Sequence, residues 1–127
     1  MTVPITDWTA LGCPEIEQEH RALARIVGEL ESAVEKNENA GVMAVLEQLA
    51  SYSNFHFQSE ERAMKAVDYP AIQAHIREHR DFSARITLFQ FQLFRGHPAA
   101  ELLDYVRSWF LTHTLASDEK FADFLRG

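Results

Sequence analysis

The chain of 127 residues is 46% hydrophobic and 24% charged, which fits one globular domain with a single core and leaves no room for a second domain. Twelve Lys and Arg against nineteen Asp and Glu give a net charge of -7, which excludes nucleic acid and anionic lipid as expected partners. No stretch approaches the roughly 20 apolar residues of a membrane span, and residues 1–14 lack the pattern of a secretory signal, so we expect a cytoplasmic protein without a membrane span. Cys13 is the single cysteine, which excludes an internal disulfide, and we expect it to be a small, half-buried residue.

Breaks in the hydrophobic pattern divide the chain into four helical segments. The breaks fall around residues 12–14, 37–41, 68–70 and 96–98, where Gly, Pro and Asn are typical of turns. The segments between them predict helices over about 14–37, 41–67, 70–95 and 98–117, with an arm over about 1–13 and a short helical piece to about 125. Pro14, Pro70 and Pro98 suit the first turn of a helix, because proline has no N–H to leave unsatisfied there. No segment has the period of two that a strand requires.

Each predicted helix carries a stripe of residues spaced three and four apart, which places them on one face. Four amphipathic helices joined by short breaks predict an all-α, up-down-up-down antiparallel four-helix bundle. Histidines and one glutamate interrupt the apolar stripes. Burying such groups unpaired costs several kcal/mol, so the pattern indicates a bound cation. The polar residues in the stripes are His20, His56, Glu60, His75, His79 and His113.

These polar residues all fall at one end of the predicted bundle. His20 lies near the start of the first helix, and His75 and His79 lie near the start of the third. The others lie near the ends of the second and fourth helices, which in an antiparallel bundle is the same end. At 1.5 Å per residue, the residues lie within roughly two turns of one another in height. Two pairs of these residues are spaced four apart, a spacing that directs both side chains of a pair at one ion. The pairs are His56/Glu60 and His75/His79.

The positions of two further residues decide whether they can join the cluster of metal ligands. His97 lies in a break, between Gly96 and Pro98, and we expect no role for it in metal binding. Asp118 follows His113 by five residues, which corresponds to about 500°, or about 140° away on a regular helix. Asp118 therefore joins the cluster only if the helix is distorted, and we expect a wide turn, a lost hydrogen bond or an early helix end around residues 114–117.

Taken together, these motifs resemble those of the hemerythrin family in its single-domain bacterial form. The motifs are His20, His56-Phe57-x-x-Glu60-Glu61, Tyr69-Pro70 followed by His75-x-x-x-His79, and Trp109-x-x-x-His113-x-x-x-x-Asp118, within a match from Trp8 to about Phe124. The resemblance implies a non-haem di-iron centre that binds O2, with two iron ions (Fe2+/Fe3+) and a bridging oxo or hydroxo group. It also implies a ligand set in which one iron is held by His75, His79 and His113, the other by His20 and His56, and both by Glu60 and Asp118.

The number of ligands favours two ions over one. Five imidazoles and two carboxylates exceed what a tetrahedral zinc site uses, whereas two shared carboxylates give two ions five and four protein bonds. A bridging oxygen raises these numbers to six and five, which leaves one position open. Imidazole and carboxylate suit iron, zinc and manganese alike, so the choice of iron comes from the resemblance.

The resemblance also implies an oxygen pocket, although plain core packing explains the same residues equally well. Thr114 departs from the family pattern, which has a large aliphatic residue there, and its hydroxyl works against a dry pocket and slow autoxidation. Glu17 stands where the family more often has Asp. By motif position, the pocket residues are Leu23, Phe57, Trp109, Thr114 and Leu115.

Two functional classes are compatible with such a site. The first is reversible binding of dioxygen for transport, storage, delivery or sensing, with an oxygen-accepting protein as a further partner. The second is a di-iron redox enzyme of oxidase, peroxidase or nitric-oxide reductase type, which would take electrons from an electron-donor protein. Ferritin-like oxidases use two Glu-x-x-His motifs, whereas Glu17-x-x-His20 is the only one in this chain. We therefore expect an oxygen-binding protein that is not an enzyme.

Overall fold

The computed structural model describes residues 6–127, so residues 1–5 of the predicted N-terminal arm lie outside the described part. The four long helices are α1 (Pro14–Glu35), α2 (Asn39–Ala66), α3 (Ile72–Phe94) and α4 (Ala100–Thr112). The chain continues through a π-helical segment (His113–Asp118) into the short helix α5 (Glu119–Arg126). No strand occurs within residues 6–127, and the all-α prediction is confirmed. The helix ends lie within two residues of the predicted ones, apart from the end of the fourth helix.

The helix starts correct one detail of the prediction. Pro14 is the first residue of α1, as its missing N–H favours. Pro70 and Pro98 instead lie two residues before α3 and α4, in the short connections that precede these helices. Asn37 and Asp68 follow the ends of α1 and α2 with φ values of 55° and 52°, a conformation that Asn and Asp tolerate better than most residues. These short turns reverse the chain between neighbouring helices.

The inward faces of the helices form the main core of the bundle. Helix α1 packs against α2 and α4, and α2 packs against α3. The residues of this core that are fully or almost fully enclosed include Val27, Leu30, Leu46, Leu49, Phe82, Ile86, Leu102 and Val106. No helix within the described residues is long and apolar enough to cross a membrane.

A second apolar cluster closes one end of the bundle. The indole of Trp8 stacks on Phe121 of α5 with ring centroids 6.1 Å apart, and Tyr69 contacts Phe121 at 5.0 Å. The N–H of Cys13, a half-buried residue, donates to the Trp8 carbonyl at 2.7 Å, which fixes the segment before α1. The Thr6 hydroxyl donates a hydrogen bond to Glu119 of α5. We call this cluster the end cap; its buried residues are Trp8, Ile16, Met64, Tyr69, Phe121 and Ala122.

The polar stripe residues lie between the end cap and the main core. On α1, His20 lies between Ile16 of the end cap and Leu23 of the main core. On α2, His56 and Glu60 precede Met64 of the end cap by one or two turns. The bundle therefore presents its chemistry as one layer enclosed by apolar side chains on both sides.

Candidate metal centre

Glu60 of α2 lies at the middle of the polar layer and is almost fully buried, with 1% of its surface exposed. Its Oε1 atom lies 3.1 Å from the Nε2 atoms of His75 and His79, both on α3. Its Oε2 atom faces the other way, at 3.3 Å from Nε2 of His20 and 3.1 Å from Nε2 of His56. The two oxygen atoms of one carboxylate are thus divided between two groups of imidazoles.

Asp118 repeats this division from the opposite side of the layer. Its Oδ1 atom lies 3.0 Å from Nε2 of His113 and 3.2 Å from Nε2 of His75. Its Oδ2 atom lies 3.2 Å from Nε2 of His20. Asp118 is buried, with 2% of its surface exposed. Both carboxylates therefore span the same two groups of ligand atoms.

The structure brings all seven predicted metal ligands together, in two sets whose ligand atoms lie within 4.8 Å of one another. One set has three imidazoles and the other has two. Glu60 is common to both sets. His97, for which the sequence predicts no role, is exposed in the break between α3 and α4. The first set is Glu60, His75, His79 and His113, and the second is His20, His56, Glu60 and Asp118.

The π-helical segment explains how Asp118 reaches the layer. Hydrogen bonding from residue i to i+5 widens the turn, so that residues five apart come close to one side of the helix. The segment runs from His113 to Asp118 and so has one ligand at each end. The predicted distortion between these two residues is confirmed.

The two central carboxylates, Glu60 and Asp118, outweigh the effect of burial on the pKa values of the histidines. Burial lowers the pKa of His20, but its contacts with Asp118 and Glu60 outweigh burial and raise this pKa to about 10. The same balance raises the pKa of His75 to about 9 and holds the pKa of His113 well above its ordinary value. Burial raises the pKa of Glu60, yet the surrounding imidazoles hold it well below its usual range. The layer therefore keeps its carboxylates charged and requires positive charge to balance them.

The donor atoms fit a metal ion. Oδ1 of Asp118 is buried, and although it lies within 3.2 Å of Nε2 of His113 and of His75, neither contact has the geometry of a hydrogen bond. The Nε2 atoms of His79 and His113 face each other at 3.3 Å, while the Nδ1 atoms of both rings point at carboxylates. A neutral imidazole that donates through Nδ1 has a lone pair on Nε2. Lone pairs and carboxylate oxygens that converge in this way are stabilised by a cation.

The sequence matches the family model described as the hemerythrin HHE cation binding domain over residues 12–125. The chain belongs to the hemerythrin family. The family description, a cation-binding domain, agrees with the histidine and carboxylate layer described above.

Several bacteriohemerythrins are similar to this chain over most of their length. The bacteriohemerythrin of Stenotrophomonas maltophilia is 28% identical over 114 residues, which cover 89% of this chain and 74% of the relative. That of Pseudomonas aeruginosa is 26% identical over 116 residues, with 91% and 76% covered. That of Clostridium acetobutylicum is 27% identical over 120 residues, with 89% and 93% covered. The crystal structure of a hemerythrin point mutant has the same fold, with a TM-score of 0.82 at 21% identity over 99% of this chain and 100% of the other.

Three carboxylates to which the sequence analysis assigned no role support the histidines of the layer from outside. Nδ1 of His56 donates to Glu19 at 2.7 Å, and Nδ1 of His79 donates to Glu61 at 2.8 Å. Nδ1 of His113 donates to Glu78 at 2.9 Å. Such contacts fix the orientation and the tautomer of a metal-binding imidazole.

A signal for these carboxylates was present in the sequence. Each one directly precedes or follows a predicted ligand, as in Glu19-His20, Glu60-Glu61 and Glu78-His79. A residue next to an inward ligand lies about 100° around the helix, which places it at the border with the neighbouring helix. Glu17, which the family pattern had singled out, instead contacts Thr9 and Arg21.

Aromatic rings cover the three-histidine set. Phe57 stacks on the ring of His79 with centroids 3.9 Å apart, and Trp109 stacks on His113 at 4.4 Å. Trp109 is half-buried, and the sequence analysis did not single out its buried neighbour Phe110, which contacts it at 5.2 Å. A groove of about 310 Å³ between α2 and α3 extends along Phe57 and reaches His79. The two rings therefore shield this set from the solvent while one edge of His79 lies close to the surface.

The remaining residues of the predicted oxygen pocket divide into inward and outward positions. Leu23 and Thr114 are buried. The assignment of Leu115 to the pocket is wrong, because 55% of its surface is exposed. The π-helical segment turns His113, Thr114 and Asp118 inward, which leaves Leu115 on the outer side of the bundle.

Proposed function

We propose that this protein holds two iron ions and binds dioxygen reversibly at them. The observation that carries the proposal is the division of the oxygen atoms of Glu60 and Asp118 between two sets of imidazoles. A carboxylate whose two oxygens face different ligand sets suits a bridge between two ions better than one end of a single site. One ion would be held by His75, His79 and His113, the other by His20 and His56, and both by Glu60 and Asp118.

The two ligand sets differ in their number of histidines, and this difference supports binding of a small ligand at the set with fewer. With both carboxylates shared, the protein would supply five bonds on the three-histidine side and four on the two-histidine side. The side with His20 and His56 therefore has more room for an external ligand. Two ferrous ions held by these residues would supply the two electrons that reversible binding of dioxygen requires.

The role of the protein in this proposal is to exclude water and to hold the ligands in place. The seven ligands are enclosed between the main core and the end cap, so that bulk water has little access to the layer. Glu19, Glu61 and Glu78 orient three of the five imidazoles through their Nδ1 atoms. A dry, rigid site favours release of dioxygen unchanged over its further reduction.

One absorption experiment tests this function. Protein loaded with ferrous iron would be exposed to air, and its near-ultraviolet and visible bands would be followed while oxygen is removed and readmitted. Bands that appear and disappear over repeated cycles support the oxygen carrier. Irreversible bleaching or turnover of added peroxide would replace it with the di-iron redox enzyme, and a single tightly bound zinc would contradict both.

A further inference from the structure

A carboxylate at the surface connects the π-helical segment to α3. Glu78 accepts a hydrogen bond from Nδ1 of His113 at 2.9 Å. The hydroxyl of Ser117 donates to the same carboxylate, at 2.6 Å from Oε1 and 2.8 Å from Oε2. His113 and Ser117 both belong to the π-helical segment. A single side chain of α3 therefore holds the segment at two points four residues apart.

The position of this contact relates it to three predicted ligands. Glu78 directly precedes His79 on α3, and Ser117 directly precedes Asp118. In a regular α-helix, Asp118 would lie about 140° away from His113. Because π-helical turns are rare and usually short, a segment of this kind needs contacts that oppose its return to α-helical hydrogen bonding. Glu78 and Ser117 supply contacts at the site where that return would displace Asp118.

A similar contact between α1 and α2 serves as an internal comparison. Glu19 accepts hydrogen bonds from His56 at 2.7 Å and from Ser59 at 3.0 Å. There the histidine and the serine lie three apart on a regular α-helix, and Glu19 is buried. The side chain of Glu78 is more exposed, at 39%, so it can be replaced without opening a cavity in the core.

We propose that Glu78 and Ser117 are positioning residues that hold the π-helical segment in register with α3 and thereby keep His113 and Asp118 in the same ligand layer. This inference rests on the proposed function, because the position of His113 and Asp118 matters only if they bind metal. The geometry of the segment is measured separately, by amide hydrogen exchange. Glu78 and Ser117 act through the ligands and do not themselves face the layer.

The test compares amide hydrogen exchange and metal affinity in four variants of the full chain, purified as the wild type is. In Glu78→Ala and Ser117→Ala, we expect the amides of residues 113–118 to exchange about tenfold faster, while those of the first half of α4 do not change. When a chelator competes with the protein for ferrous iron, the affinity of Glu78→Ala for the metal should be about 10- to 100-fold lower than that of the wild type. Glu78→Gln should recover most of both properties, because its amide can accept from His113 and contact Ser117. Ser108→Ala, at an exposed serine of α4, is the matched control and should behave as the wild type.

The outcomes separate this inference from the proposed function. Exchange and affinity in Ser117→Ala equal to those of Ser108→Ala would overturn the inference, even if Glu78→Ala fails to fold. Failure of Glu78→Gln to improve on Glu78→Ala would also overturn it, because charge rather than position would then be decisive. A wild type that binds no metal would contradict the proposed function, while the exchange rates of residues 113–118 would still decide the role of Glu78 and Ser117.

Discussion

Glu60 differs from an ordinary helical glutamate in that imidazoles from three other parts of the chain face its two oxygens. His20, His75 and His113 come from α1, α3 and the π-helical segment. The charge of Glu60 would be shared by two cations in the proposed centre. Its shape and its charge therefore have separable consequences.

Replacing Glu60 with Gln keeps the shape of the side chain and removes the charge. We expect Glu60→Gln to bind fewer than the two equivalents of iron proposed for the wild type and to have a lower thermal midpoint, because metal binding stabilises the fold. Elemental analysis and thermal denaturation measure both effects. Retention of two equivalents of iron would remove Glu60 from the ligand set.

Two glutamates of the same helix provide graded controls. Glu61 accepts from His79, so Glu61→Gln should weaken metal binding less than Glu60→Gln does. Glu47 is exposed on α2, and Glu47→Gln should leave both properties unchanged. We expect the loss of bound iron and of thermal stability to be largest for Glu60→Gln, smaller for Glu61→Gln and absent for Glu47→Gln. Equal damage at positions 60 and 61 would show that the bridging role assigned to Glu60 is wrong.

Thr114 supplies a second prediction at the scale of one residue. It is buried and directly follows His113, so its hydroxyl can hold water or donate a proton close to the ligand layer. We expect Thr114→Ile to lengthen the lifetime of the oxygenated absorption bands while the iron content stays the same, because position 114 supplies no ligand. The decay of those bands in aerobic buffer is the measurement.

The neighbouring residue gives the control for Thr114. Leu115 is exposed, so Leu115→Thr adds a hydroxyl on the outer side of the π-helical segment and should leave the lifetime unchanged. Trp109→Ala should shorten the lifetime, because it removes a ring that stacks on His113 and opens a cavity. The same decay rate in all three variants would show that oxygen does not bind near this segment.

At the scale of the elements, the helices were predictable because their apolar residues recur with the helical period. Leu46, Leu49 and Phe82 are buried as their spacing predicts. The π-helical segment was predictable for a different reason, since a regular helix cannot bring Asp118 to His113. The distances among His20, Glu60 and Asp118 were beyond prediction from spacing, because they depend on how separate helices pack.

The end cap is the element that the sequence pattern revealed least. Four of its six buried residues come from the segment before α1, the connection before α3 and α5, and none of these has a long periodic stripe. The other two, Ile16 and Met64, belong to α1 and α2. Their contacts are tertiary, so spacing along the chain carries little information about them. Trp8 illustrates the point, because it contacts His20 at 5.7 Å and Phe121 at 6.1 Å from distant parts of the chain.

Trp8 should therefore contribute both to stability and to isolation of the two-histidine set. We expect Trp8→Ala to lower the free energy of unfolding by about 3–5 kcal/mol, as for other large aromatic residues removed from a core. It should also accelerate removal of metal by a chelator, because solvent gains access beside His20. Urea denaturation and the rate of metal transfer measure the two effects.

The conservative variant separates shielding from general destabilisation. Trp8→Phe retains an aromatic ring against Phe121 and should release metal at a rate near that of the wild type. If Trp8→Ala loses stability but transfers metal no faster than the wild type, the end cap stabilises the bundle without shielding the layer.

At the scale of the whole molecule, the ligand layer links all four long helices. Its members come from α1, α2, α3 and the π-helical segment that continues α4, so no pre-formed site exists in the unfolded chain. A metal that binds only the folded state stabilises it by mass action. The dependence of stability on metal concentration therefore reports how many ions the fold binds.

The free energy of unfolding rises more steeply with metal concentration when the fold binds two ions than when it binds one. In anaerobic urea denaturation at buffered concentrations of free ferrous iron above both dissociation constants, each tenfold increase should add about 2.7 kcal/mol to the free energy of unfolding for two sites, against about 1.4 kcal/mol for one. Magnesium in the same series should have no comparable effect, because it prefers oxygen ligands and retains its water. A slope near the lower value would reduce the centre to one ion, and Glu60 and Asp118 would then no longer bridge two metals. A slope near the higher value requires both ligand sets to be filled in the folded protein, since neither set alone can account for the second ion.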